Sequence, residues 1–129
     1  MLNKKHLHLI AGLLWFIVSF ILLTLPGNDL PKITWMNTLQ VDKLVHITMF
    51  FLLSYFFMYL LKDNKKALIQ MFIVAVAGLA YGIAMEFVQK YYIPNRTCDV
   101  DDMIADGVGS FAGFFWWLRI VKKKNRSIV

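Results

Sequence analysis

The chain has 129 residues, of which 59% are hydrophobic and only 17% are charged. A soluble domain has about half of its residues apolar and about a quarter charged, so this composition argues against a soluble globular domain. The net charge of +6 can indicate a nucleic-acid partner, but the basic residues stand at the ends of long apolar runs, as in membrane proteins. We therefore expect an integral membrane protein that binds no nucleic acid.

Four apolar runs predict four transmembrane helices, because a helix needs about 20 apolar residues to cross a bilayer core of about 30 Å. The predicted helices cover residues 7–25, 44–61, 67–88 and 103–121. Lys4 and Lys5 precede the first run, as in a signal peptide, but the run is long and lacks a small-residue cleavage site. The predicted fold class is all-α: a single membrane domain over residues 1–129, built as a four-transmembrane-helix bundle.

The distribution of Lys and Arg predicts the orientation of this bundle. Ten basic residues lie at run ends that would share one side of the membrane: Lys4, Lys5, Lys62, Lys65, Lys66, Arg119, Lys122, Lys123, Lys124 and Arg126. The other side holds four: Lys32, Lys43, Lys90 and Arg96. Since cytoplasmic loops are rich in Lys and Arg, both termini are predicted to be cytoplasmic. Trp35, Tyr91 and Tyr92 fit an aromatic belt on the outer side.

Three of the predicted helices carry polar residues at the same depth, near the outer side. Ionisable residues are costly inside a bilayer and usually mark a function. The predicted ligand-binding site comprises nine polar residues: Asp42, Lys43, His46, Glu86, Gln89, Arg96, Asp99, Asp102 and Asp106. A random scatter would not place polar residues of three helices at one depth, so the pattern favours a site over coincidence.

Helical spacing indicates that these helices pack together. Asp42 and His46 are four residues apart, and so share one face of a helix. Gly78 with Gly82, and Gly109 with Gly113, form pairs of small residues that let helices approach closely. We expect the second, third and fourth helices to pack with these faces inward. The same glycine faces are candidates for an oligomer contact.

Most of the polar residues also have a structural interpretation. Asp42 and Lys43 suit a helix N-terminus, where a side chain can cap the backbone and favour the helix dipole. His46 alone would suit a buried, hydrogen-bonded histidine. Glu86 could be the structural partner of a nearby cation, since a buried carboxylate needs one. Asp106 is harder to explain in this way, because it lies about one turn inside an apolar run.

The combined pattern resembles the VanZ-like family of bacterial membrane proteins. It reads Asp42-Lys43-x-x-His46, then Glu86-x-x-Gln89, then Pro94-x-Arg96-x-x-Asp99-x-x-Asp102-x-x-x-Asp106-x-x-Gly109-x-x-x-Gly113. The family often has Asn where this chain has Asp106, a change that keeps the size and can add a charge. The resemblance implies a multi-pass protein of the bacterial cytoplasmic membrane. The named member is associated with resistance to teicoplanin, a glycopeptide that binds cell-wall precursors.

These observations leave more than one class of function open. In the first, the site binds the headgroup of a membrane lipid or a lipid-linked cell-wall intermediate, or a glycopeptide, and Arg96 and Lys43 pair with its phosphate or carboxylate. In the second, the protein is an intramembrane hydrolase or transferase acting on a lipid. His46, Glu86 and Asp102 are then the candidate catalytic groups. Candidate ligands of Mg²⁺, Mn²⁺ or Ca²⁺ are His46, Glu86, Asp99, Asp102 and Asp106. A proton pathway and a purely structural polar network are the remaining alternatives.

Overall fold

The computed structural model describes residues 3–26 and 41–126, except the side chain of residue 125. These residues form four α-helices and no strand: α1 (Lys4–Leu23), α2 (Val41–Leu61), α3 (Ala67–Tyr92) and α4 (Val100–Arg126). The all-α prediction is confirmed for this part of the chain. Lys32 and Trp35 lie outside the described residues, so their assignment to the outer side stays a prediction.

Helices α1, α2 and α3 are each long and apolar enough to cross a membrane. Helix α4 is longer but less apolar, because Asp102 and Asp106 lie in its first two turns and Arg119 near its other end. Three of the four predicted crossings therefore have a helix of the required length and composition. The crossing by α4 stays a prediction.

The helices extend beyond the apolar runs that predicted them. Helix α2 begins at Val41 rather than residue 44, and α3 ends at Tyr92 rather than residue 88. Helix α4 covers Val100–Arg126 rather than 103–121. The length of an apolar run matches the thickness of the bilayer core, whereas a helix can be longer because its backbone hydrogen bonds continue into the polar residues on either side. Helix α1 runs from Lys4 to Leu23 rather than over residues 7–25. Its end comes earlier than predicted because Pro26 disfavours helical backbone at the residue before it.

The described ends of the chain lie at the same end of the bundle. Asp63, between α2 and α3, binds Lys5 at the start of α1 at 3.5 Å and Lys124 near the end of α4 at 2.9 Å. We call this the lysine-rich end. At the opposite end, Gln89 near the end of α3 donates a hydrogen bond of 3.0 Å to the carbonyl oxygen of Leu23. We call this second end, where α2 and α4 begin and α3 ends, the polar end.

Helix α4 packs against α2 and α3, and glycines let it approach α2 closely. A Cβ atom added at Gly109 would collide with the backbone carbonyl oxygen of Ile47. A Cβ atom added at Gly113 would lie 2.9 Å from the Cβ atom of Ser54. Real Cβ atoms essentially never approach another atom so closely, so α2 and α4 could not pack in this way with larger residues.

Helices α3 and α4 use a second pair of glycines in the same manner. A Cβ atom added at Gly82 would collide with the carboxylate of Asp106, and one added at Gly78 would collide with the hydroxyl of Ser110. The expected inward packing of α2, α3 and α4 is therefore present. Both glycine pairs face helices of the same chain, and the predicted oligomer contact through these faces stays a prediction.

Helix α1 lies at the side of this three-helix core and packs against α2. Its buried residues are few, namely Gly12, Ser19 and Leu23. The indole N–H of Trp15 donates a hydrogen bond of 2.9 Å to the backbone carbonyl oxygen of Met49 in α2. Most other apolar side chains of α1 are exposed, as expected of a helix that faces lipid.

Candidate functional site

Three helices bring chemically active side chains together at the polar end. His46 comes from the second turn of α2, Glu86 from the last two turns of α3, and Asp102 from the first turn of α4. All three residues are buried, and one potential metal-ligand atom from each lies within 4.8 Å of the other two. The fold explains this convergence, because α2 and α4 begin at the end of the bundle where α3 finishes.

Lys43 joins α2 to the beginning of α4. Its ammonium nitrogen lies 3.0 Å from Asp102 Oδ1, 3.3 Å from Asp99 Oδ2 and 3.6 Å from Asp42 Oδ2. The side chains of Lys43 and Asp102 are only 18% and 12% exposed, whereas that of Asp42 is 61% exposed. A poorly hydrated ammonium group needs anionic partners, so Asp102 and Asp99 fix Lys43 while Asp42 contributes from the surface.

His46 is oriented by Asp106, one turn further along α4 than Asp102. The distance from His46 Nδ1 to Asp106 Oδ1 is 2.8 Å, and both side chains are buried. When Asp106 is ionised it can only accept a hydrogen bond, so Nδ1 then donates, and Nε2 of a neutral ring keeps its lone pair. Nε2 faces Asp102 Oδ2 at 3.8 Å, which is too long for a hydrogen bond.

Glu86 connects α3 to the loop that precedes α4. It is fully buried, and its Oε2 accepts a hydrogen bond of 2.8 Å from the backbone N–H of Asp99. The partner of Glu86 is thus a backbone amide rather than the nearby cation that the sequence suggested. Asp99 in turn accepts a hydrogen bond of 2.8 Å from the backbone N–H of Asp101. That bond, together with Lys43, holds the pKa of Asp99 below its usual value.

Several buried polar atoms have no hydrogen-bond partner among the described residues. They are Glu86 Oε1, Asp106 Oδ2, Ser110 Oγ, the hydroxyl of Tyr81 and Arg96 Nε. Buried polar atoms in folded proteins nearly always have a hydrogen-bond partner, so these atoms are candidates for contact with a water, an ion or a ligand. Two of these atoms, on Glu86 and Asp106, belong to the carboxylates that surround His46.

Of the nine predicted site residues, six form one connected cluster and three lie beside it. We call the connected set the carboxylate cluster: Lys43, His46, Glu86, Asp99, Asp102 and Asp106. Three residues lie outside it. Gln89 bonds to Leu23 and so joins α3 to α1, Asp42 is exposed, and Arg96 lies in the loop three residues before Asp99. The function of all nine stays a prediction.

Ser110 is a buried polar residue that the sequence interpretation missed. It is fully buried in α4, its hydroxyl has no partner among the described residues, and it faces Gly78. It follows Asp106 by four residues and therefore lies on the same helical face. That spacing could have revealed it. The bond of Trp15 to Met49, by contrast, has no sequence signal, because its acceptor is a backbone carbonyl group.

The sequence profile of the VanZ/LLP1 family matches residues 5–122 of the chain. The match covers most of the chain and includes every residue of the carboxylate cluster. No curated protein and no solved structure gives a significant match.

Proposed function

Since the chain belongs to the VanZ/LLP1 family, we propose that it is a membrane protein whose polar end binds the anionic headgroup of an envelope lipid. The best candidates are lipid-linked cell-wall intermediates, because their diphosphate and sugar groups offer anionic and hydroxyl groups to one site. The finding that supports a membrane location is the presence of three helices that are long and apolar enough to cross one.

The orientation that we propose places the polar end at the outer face of the bacterial cytoplasmic membrane. All four helices cross the membrane, and both termini lie in the cytoplasm. Support comes from the ten basic residues assigned to one side against four on the other. Support also comes from Asp63, which binds both Lys5 and Lys124, since an even number of crossings leaves both chain ends on one side.

The observation that carries the binding proposal is the state of Arg96. Its Nε is buried and has no acceptor among the described residues. Lys43, in contrast, already has two carboxylates within 3.3 Å. Arg96 therefore has a buried donor that still needs an acceptor, and a phosphate or carboxylate group is the partner that its planar guanidinium group fits best.

A contribution to glycopeptide resistance belongs to the same proposal. Teicoplanin binds cell-wall precursors, so a protein that holds a lipid-linked precursor by its headgroup would compete with the antibiotic for that precursor. The competing idea, that the glycopeptide itself occupies the site, predicts binding of teicoplanin to the purified protein in the absence of lipid.

Lipid retention by Arg96 variants tests the binding proposal. The protein is purified in a mild detergent, and the lipids that stay bound are counted per chain by mass spectrometry. We expect Arg96→Ala to retain at least about tenfold less anionic lipid, because a charge-assisted hydrogen bond contributes about 1.5–3 kcal/mol. Zwitterionic lipid should be retained equally by both proteins.

Lys90→Ala is the matched control. Lys90 is an exposed cation at the same end of the bundle, with its ammonium group 5.4 Å from the centre of the Tyr91 ring. Its removal should leave the bound anionic lipid unchanged, whereas a loss equal to that of Arg96→Ala would mean that the surface charge alone attracts lipid. Equal lipid in the wild type and in a folded Arg96→Ala variant would refute the proposal.

A further inference from the structure

The side chains of His46, Glu86 and Asp102 lie in an arrangement typical of a metal site. We propose that these three residues bind a divalent transition-metal cation, with Mn²⁺ and Zn²⁺ as the best candidates. This inference does not depend on the proposed lipid binding. It rests on three features of the carboxylate cluster: the convergence of the ligand atoms, the groups that those atoms leave unpaired, and the balance of charge around them.

The first feature is convergence from three separate helices. One ligand atom of each residue lies within 4.8 Å of the other two, and all three residues are buried. One imidazole nitrogen and two carboxylates suit Zn²⁺ and Mn²⁺, whereas Ca²⁺ and Mg²⁺ prefer oxygen ligands alone. Three protein ligands also leave a coordination position open for water or another group.

The second feature is that the hydrogen bonds of the cluster leave the ligand atoms free. Asp102 uses Oδ1 for Lys43 and turns Oδ2 toward His46. Glu86 uses Oε2 for the backbone of Asp99, and its Oε1 is buried without a partner. His46 uses Nδ1 for Asp106, which leaves the lone pair of Nε2. Each of the three residues is therefore held by one atom and offers another.

The contact between His46 and Asp106 has the form found behind metal-bound histidines. A ligating histidine almost always donates its other ring N–H to a carboxylate or carbonyl oxygen, which fixes the tautomer and makes the free nitrogen more basic. Asp106 Oδ1 lies 2.8 Å from His46 Nδ1 and is buried on α4 opposite Gly82. Asp106 is thus a positioning residue that points Nε2 toward Asp102.

The third feature is the balance of charge. Glu86, Asp102 and Asp106 are all buried, and among the described residues Lys43 is the lysine or arginine in direct contact with this group. Buried carboxylates in excess of their cations must be neutralised by protons or by a bound cation. A divalent cation supplies the missing charge and occupies the acceptor that Glu86 Oε1 leaves open.

Mn²⁺ binding to the purified full-length protein tests the proposal. The protein is prepared in detergent with a tag that contains no histidine, stripped with chelator, and titrated with Mn²⁺ while free Mn²⁺ is followed by electron paramagnetic resonance. We expect one Mn²⁺ per chain, and at least about tenfold weaker binding for Glu86→Gln and Asp102→Asn. Asp106→Asn should weaken binding by about 10- to 100-fold, as expected for the loss of the carboxylate behind the histidine.

Asp101→Asn is the matched control, because Asp101 is an exposed carboxylate directly before Asp102 on the same helix. It should bind Mn²⁺ as the wild type does. Equal binding by the wild type, Asp102→Asn and Asp101→Asn would overturn the proposal and would indicate that the buried carboxyl groups are neutralised by protons.

A spectroscopic measurement on the wild type keeps the proposal testable if the variants do not fold. The pulsed electron paramagnetic resonance spectrum of bound Mn²⁺ should show hyperfine coupling to a ¹⁴N nucleus of an imidazole ring. His6→Gln, which changes an exposed histidine at the lysine-rich end, should keep this coupling. Absence of nitrogen coupling in the wild type would overturn the assignment of His46 as a ligand. Arg96→Ala should retain Mn²⁺, so failure of lipid binding and failure of metal binding are distinguishable.

Discussion

The two ends of the bundle use the same charged residue types in different surroundings. At the lysine-rich end, Asp63 binds Lys5 and Lys124, and these three side chains are 39%, 45% and 57% exposed. At the polar end, Lys43 binds Asp99 and Asp102, and the side chains of Lys43 and Asp102 are at most 18% exposed. At the first end one carboxylate contacts two lysines, and at the second one lysine contacts three carboxylates.

This difference shows which ion pairs need an explanation beyond topology. Exposed pairs contribute only about 0.2–1 kcal/mol each, and the cations at the lysine-rich end are accounted for by the orientation that we propose. That orientation does not account for buried carboxylates at the polar end. Their desolvation is costly, which is why we propose that the polar end carries the function.

Removing one acid from each end tests the comparison with the largest expected effect. Asp102→Ala should lower the free energy of unfolding by about 2 kcal/mol. This is less than the roughly 3–5 kcal/mol of an isolated buried charge, because Lys43 keeps Asp99 and Asp42. Asp63→Ala should lower it by about 0.5 kcal/mol or less. Unfolding by SDS in mixed micelles measures both, and equal losses would contradict the contrast between the two ends.

Two glycines of α4 test whether the polar end depends on the close approach of α2. Gly109→Ala should cost about 1–3 kcal/mol, because the new Cβ atom meets backbone atoms of Ile47 rather than the end of a flexible side chain. Gly107→Ala is the control, since its Cβ atom would lie 3.1 Å from Leu79 Cδ1, at the end of a flexible side chain. We expect a change within about 0.5 kcal/mol there. Thermal unfolding in detergent measures the difference, and equal costs would show that α2 and α4 separate freely.

Lowering the pH should produce the smallest difference in stability between the two ends, because it protonates Asp99 at the polar end and Asp63 at the lysine-rich end. The pKa of each is below the usual 3.8, held down in Asp99 first by the Asp101 N–H and in Asp63 first by the hydrogen bond from Lys124. A carboxylate of this kind stabilises the fold above its unfolded pKa, and the contribution is lost as pH falls through the folded pKa.

The wild type should therefore unfold at a higher temperature than Asp99→Asn at about pH 5, and the gap should shrink below pH 3.8. Asp63→Asn should show a smaller gap that also shrinks with added salt, since its ion pairs are exposed. Melting temperatures at two pH values and two salt concentrations decide this. A gap that widens in acid would mean that the folded pKa of Asp99 is raised.

The sequence predicted the helices and their packing faces because both follow from local patterns. Apolar length located four helices, and the spacing of Gly78, Gly82, Gly109 and Gly113 located the contacts among three of them. The helix ends were less accurate, since polar residues such as Lys43 and Gln89 continue the helices past the apolar runs.

The sequence predicted which residues form the carboxylate cluster, but not which of their atoms contact each other. Spacing along a helix shows which face Glu86 and Asp106 occupy, but it does not show which atom of a neighbouring helix meets them. The bond from the Asp99 backbone to Glu86 depends on how the 93–99 loop turns, with Asn95 at a φ of 57°, and side-chain patterns carry little information about that. The separation of Gln89 from the cluster likewise depends on where α1 ends.

The shared contact of Lys5 and Lys124 with Asp63 has a consequence for the order of the chain. Because both side chains reach one carboxylate, the start of α1 and the end of α4 are within two side-chain lengths of each other. The two ends of the described chain are thus close enough in space to be joined. A short linker from residue 126 to residue 3 would join these two ends, and a circular permutant opened at residues 62–66 would place Glu86, Asp99, Asp102 and Asp106 before Lys43 and His46 in the chain.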